Sequence, residues 1–101
     1  MKTNDILLAC NVYSNYYYFL QVIKATERTV TVRRINSNKR EGTPRPNDFL
    51  TEGGYYESPE QKRRIGNDGR IRLGDWTSAE AWDGQPLRND HPMWGMNYNL
   101  Y

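Results

Sequence analysis

Residues 16–35 hold two strand-length stretches of aromatic and β-branched side chains, parted by the polar break Ala25-Thr26-Glu27-Arg28. Runs of this composition around a short polar segment predict a β-hairpin. The first strand, residues 16–24, is apolar on both faces, with Tyr16, Tyr18, Leu20 and Val22 on one and Tyr17, Phe19 and Ile23 on the other. Such a strand belongs inside a barrel or sandwich, or else it shows an aromatic face to solvent. The second strand alternates more clearly. Val30 and Val32 share one face, Thr29, Thr31, Arg33 and Ile35 the other, and Arg33-Arg34 mark where it reaches water.

The rest of the chain can be parsed around that hairpin. Residues 6–10 are a short apolar first strand, and 11–15 carry turn-tolerant Asn and Ser ahead of the hairpin. Residues 36–58 lose all periodicity, with Pro44 and Pro46 opposing regular pairing, so a long loop is expected there. Loops of that length are usually functional or mobile. Residues 61–65 and 70–74 read as a second hairpin around Gly66-Asn67-Asp68-Gly69, with Ile71 and Leu73 facing inward and Arg70 and Arg72 outward. A short strand or one helical turn is expected over 76–82, Ser78 being a fitting N-cap. Residues 82–86 then form a turn. The tail from His91 to Tyr101 is aromatic enough to dock on the domain or on a second copy of the chain.

At 101 residues the chain has the size of one domain, so residues 1–101 are taken as a single β-rich unit. A domain this small buries only about 60–70% of its unfolded surface, which leaves some of its eight Tyr and three Trp for a binding surface. Short strands, frequent turns and little helical periodicity predict a mostly β fold, a small antiparallel roll or SH3-like barrel with a short helical turn and an aromatic C-terminal segment. The lone Cys10 has no partner for a disulfide or thiolate cage, which predicts a buried or inert thiol in a reducing, cytoplasmic setting. No segment has the length and apolarity of a bilayer span.

Charge is the feature that bears on function. The net charge is only +2, yet residues 28–72 carry eleven Lys and Arg against six Asp and Glu, and the chain beyond Leu73 turns acidic. If the two hairpins are neighbours, Arg33, Arg34, Lys62, Arg63, Arg64, Arg70 and Arg72 form a patch for phosphate, with Tyr17, Phe19 or Tyr55-Tyr56 as stacking platforms for bases. The plainer account is a set of solvated strand faces whose cations discourage edge pairing. Catalytic signals are weak: one histidine, His91, has no evident orienting partner, and no carboxylate pair or glycine loop has a spacing tied to chemistry. An enzyme is not expected, nor a metal or cofactor.

Residues 19–26, residues 29–35, Lys62-Arg63-Arg64 and above all Trp82-Asp83-Gly84-Gln85-Pro86 resemble, in this order, an uncharacterised small domain family encoded by bacteriophages and mobile elements. The chain departs from that pattern at Glu27-Arg28, where Gly-Lys would be expected, and in its tail. The resemblance implies an accessory gene product of bacterial cytoplasm and carries over no site residues. Two functional classes follow as expectations. One is a non-catalytic module that contacts nucleic acid through its basic face. The other is an inhibitor or adaptor acting on a host or defence protein, with Tyr55, Tyr56, Trp94 and Tyr98 as its contact surface.

Overall fold

The computed structural model describes residues 1–13, 16–38, 40–50 and 60–87, together with the backbone of 99–100. Its strands are β1 (Ile6–Asn11), β2 (Tyr16–Ala25), β3 (Thr29–Asn38), β4 (Thr43–Phe49), β5 (Gln61–Arg64), β6 (Ile71–Arg72), β7 (Thr77–Ala81) and β8 (Asn99–Leu100). The first seven pair antiparallel in the order β4-β3-β2-β1-β7-β6, with β5 beside β3. No helix occurs among the described residues, so the fold is mostly β. Equally, no helix there is long and apolar enough to cross a membrane.

The two-faced β2 organises this sheet. Directly opposed residues of an antiparallel pair share a face, and the register sets Leu7 against Leu20, Leu8 against Phe19 and Val22 against Val32. On the inner face Leu7, Ala9, Leu20, Val22, Val30, Val32, Ile71 and Ala79 form one buried cluster. On the outer face Leu8, Tyr17, Phe19, Ile35 and Leu87 form a second, with Trp82 and Phe49 against it. β2 is therefore covered on both sides. A register shift between Val22 and Lys24 leaves Ile23 unpaired and lets Ala25 pack with the inner cluster. The polar break closes the hairpin as expected: the Thr26 amide donates to the Thr29 carbonyl at 2.8 Å, and the two threonine hydroxyls lie 2.7 Å apart.

The cover on the outer face comes from a strap that follows β7. The Trp82 amide donates to the Ile6 carbonyl, its indole Nε1 donates to the Gln85 carbonyl at 2.9 Å, and its ring meets Phe19 edge-on with centroids 5.6 Å apart. That Trp-Asp-Gly-Gln-Pro turn thus has a structural task, laying Leu87 onto the outer cluster. Gln21, the one buried polar side chain among the described residues, lies on the same face. It accepts from the Asn47 amide at 2.7 Å and donates to the Asn47 and Asn4 side-chain oxygens. Both asparagines have positive φ, a conformation Asn tolerates better than most residues.

Four expectations need correction. Much of the predicted loop over 36–58 is ordered as strand, since β3 runs to Asn38 and β4 returns along it, pairing Asn38 with Thr43, Ser37 with Pro44 and Ile35 with Phe49. Its prolines are admitted because β4 is an edge strand, where a missing N–H costs no ladder bond. Residues 51–59 lie outside the described residues. Of the short strand or helical turn expected over 76–82 the strand forms, as β7, and the turn capped by Ser78 does not: pairing with both β1 and β6 overrides the helix preference of Ala-Glu-Ala. The second hairpin is only a turn, for the Ile65–Ile71 bridge is all that joins β5 to β6, and their ladders go to β3 and β7. Arg33 and Arg34, expected at the solvent boundary, are half-buried.

The sheet is not closed, since that seam holds a single bridge. Of the tail, Asn99 and Leu100 pair in parallel with Tyr16 and Tyr17 of β2, while residues 88–98 and Tyr101, including His91, lie outside the described residues.

Gly42 ties strap to hairpin, its carbonyl accepting from the Leu87 amide at 2.9 Å and its φ being 71°. A β-carbon there would fall onto the Leu87 backbone, whereas one at Gly69, with a similar φ of 78°, meets open space. Gly69→Ala should therefore cost about 1–2 kcal/mol, the left-handed penalty alone. Gly42→Ala should cost about 3 kcal/mol or more, the clash adding to that penalty. Urea denaturation of the two variants checks the difference; equal losses would remove the strap from the account.

Candidate nucleic-acid interface

Among the described residues nothing beyond the strap covers the outer face, and exposed cations gather there. Register places Arg64 opposite Thr29 and Lys62 opposite Thr31, both exposed on that face. Across the Gly66–Gly69 turn, Ile71 points inward and so sends Arg70 and Arg72 outward, with Arg72 opposite Ser78. Arg64, Arg70, Arg72, Asp68 and Ser78 line one cleft of about 310 Å³. The turn itself is held by the Gly66 amide on the Arg70 carbonyl and by the Asp68 carboxylate, which accepts from the Arg70 amide at 3.0 Å. The Arg70 guanidinium lies 3.2 Å from Glu80, and both side chains are about half exposed, so the pair is weak and open to exchange.

A smaller hollow of about 140 Å³ continues the cleft and shares Arg70 and Ser78 with it; Leu8, Cys10, Val12 and Glu80 complete its wall. Cys10 is half-buried against the outer cluster. At the far end stands an exposed aromatic pair, Tyr13 and Trp76, with ring centroids 5.7 Å apart and planes inclined by 40°. Pairing of Asn11 with Thr77 brings their two turns together, and the Val12 amide locks them by donating to the Trp76 carbonyl at 2.9 Å.

Of the seven predicted basic residues the structure gathers Arg64, Arg70 and Arg72, with Lys62 beside them. It does not gather the other three. Arg63 faces inward opposite Val30 and donates to the Lys62 carbonyl and the Gln61 side chain. Arg33 lies over the Phe49 ring at 4.8 Å, with its Nε buried and unbonded among the described residues. Arg34, on the opposite face of β3, lies 4.4 Å over Tyr18. Tyr17 and Phe19, offered as stacking platforms, are buried in the outer cluster and cannot receive a base. Tyr55, Tyr56, Trp94 and Tyr98 lie outside the described residues. Sequence reasoning missed Tyr13 and Trp76, because nothing local announces that two turns so distant in the chain will meet.

Among the described residues no group of three or more His, Cys, Asp or Glu is placed to hold a metal ion. No protein-family model matches the chain, and no curated protein and no solved structure matches it either.

Burial pushes the Tyr18 phenol above its ordinary value of 10.0, and Arg34 beside it pulls back by less. The unfolded chain then releases that proton first, so the contribution of Tyr18 to stability is full below pH 10 and is lost as pH rises through the raised value. Tyr18→Phe keeps the ring under Arg34 and removes the proton. Its urea midpoint should fall less steeply than that of the parent above pH 10, and parallel curves would contradict the assignment.

Proposed function

We propose that this chain is a non-catalytic nucleic-acid-binding module, a phage or mobile-element accessory acting in bacterial cytoplasm, which grips phosphates through the cleft of Arg64, Arg70 and Arg72. The observation that carries it is the convergence of three guanidinium groups, from β5, the following turn and β6, on one concave, solvent-open surface. Planar guanidinium forks suit bidentate phosphate contact. Ser78 offers a hydroxyl on the same wall, and Glu80 occupies Arg70 until an anion displaces it. The scaffold is read as a small open roll, because the pairing path β3-β5-β6-β7-β1-β2 returns to β3 with one seam held by a single bridge. A second reading, a protein-binding inhibitor or adaptor, is favoured by the exposure of Val12, Tyr13 and Trp76 together.

Salt separates the two, since phosphate contacts release counterions and an aromatic protein contact does not. For three neutralised phosphates, log affinity for a labelled single strand should fall against log salt with a slope of about −2. Arg64→Glu with Arg72→Glu should abolish binding and leave the thermal midpoint nearly unchanged, because both positions are exposed. Arg70 is spared in that variant, as a glutamate there would face Glu80. Binding that ignores salt or survives the double reversal would sink the cleft as a phosphate site.

A further inference from the structure

Resting on that reading of the cleft, we infer that its ligand is single-stranded, with a base seated on the Tyr13–Trp76 pair while the arginines hold the backbone. The two features are one surface. The cleft and the smaller hollow share Arg70 and Ser78, and the hollow ends at Val12, whose amide is bonded to the Trp76 carbonyl. Trp76 directly precedes β7, two residues before Ser78, so the chain between them spans at most about 7 Å, a distance one extended nucleotide covers. The hollow thus ends at the chain neighbour of Tyr13, which is bonded in turn to the backbone of Trp76.

The aromatic pair itself has the character of a stacking platform. Tyr13 is 80% exposed and Trp76 58%, although both carry large apolar rings that a packed domain would otherwise bury. They are nonetheless held in place: the Asn11 side-chain oxygen accepts from the Tyr13 amide at 3.0 Å, and the tie to Val12 fixes the turn of Trp76. Backbone bonds fix where both rings leave the chain and their mutual contact narrows their rotamers, so a ligand has less to order on binding. A base inside a duplex has both faces occupied by its neighbours and cannot reach such a platform, whereas a single strand can splay its bases onto it. The cations beside it complement the phosphates, which an apolar protein partner would leave without a counterpart.

The test uses the full chain, a fluorescently labelled oligo(dT), and the same strand annealed to oligo(dA), read by anisotropy at two salt concentrations. Tyr13→Ala with Trp76→Ala should weaken oligo(dT) binding roughly ten- to a hundredfold. Duplex affinity and the salt slope should not change, and Tyr13→Phe with Trp76→Phe should restore most of the loss. Both rings being exposed, the alanine variant keeps its core, and a matching thermal midpoint confirms it. If oligo(dT) binding is salt-sensitive but indifferent to the alanine pair, the base seat is overturned and the phosphate cleft stands. If the parent binds neither probe, both fall, and an elution volume that shifts with concentration in the parent but not in the alanine variant would assign the rings to a protein contact.

Discussion

Tyr17 and Phe19 point one way from β2 and Leu20 and Val22 the other, and all four side chains are withdrawn from water. A single sheet layer cannot achieve that; each face needs its own cover. On the inner face β1, β3, β6 and β7 supply Leu7, Val32, Ile71 and Ala79. On the outer face the task falls to the strap, which is not strand and supplies Trp82 and Leu87, together with Phe49 of β4. Burial of Phe19 alone is worth about 2–3 kcal/mol, so loss of the strap would forfeit a large part of the stability a domain of this size has. Gln21 continues the same outer row as a polar residue, and its hydrogen bonds to Asn4 and Asn47 fasten the N-terminal turn and the β4 edge to the strand they cross.

The candidate functional surface lies on the part of the outer face that the strap's described residues do not contact. Among the described residues the strap bonds Gly42 and packs on outward residues of β1 to β3, whereas the outward Lys62, Arg64, Arg72 and Glu80 of β5, β6 and β7 are exposed and Ser78 is half-buried. Polar and charged residues are the ones that can stand there without desolvation cost, and the chain places Lys62, Arg64, Arg70, Arg72, Ser78 and Glu80 at these positions. Their cations also discourage another chain from pairing with the short strands around the seam. Arg33 shows the opposite fate: on the covered part of the same face, it is packed over Phe49 and withdrawn from any ligand.

Much of the fold is readable from residue patterns alone. The period-two runs mark β2 and β3 to within a few residues, Asp68-Gly69 marks the turn between β5 and β6, and Trp82 to Pro86 mark the strap's turn. The strand β4 is not readable, because Pro44 and Pro46 argue against pairing unless one already knows that β4 is an edge. Ser78-Ala79-Glu80-Ala81 has helix-like composition and becomes strand through partners on both sides. The basic site is readable only in part. Which of the seven cations converge depends on face and register, so Arg63 and Arg64 are parted by one residue's alternation, and Tyr13 meets Trp76 only because Asn11 pairs with Thr77.

The central claim is that the outer face is divided into a covered half that stabilises and an open half that binds. Amide chemical-shift mapping during titration with oligo(dT) tests it in one experiment. The account predicts perturbations along Arg64, Arg70 to Arg72, Trp76 to Glu80 and Val12-Tyr13, with Phe19, Gln21, Asn47 and Trp82 to Leu87 unmoved. Shifts centred on β4 and the strap, with the β6–β7 face silent, would contradict it.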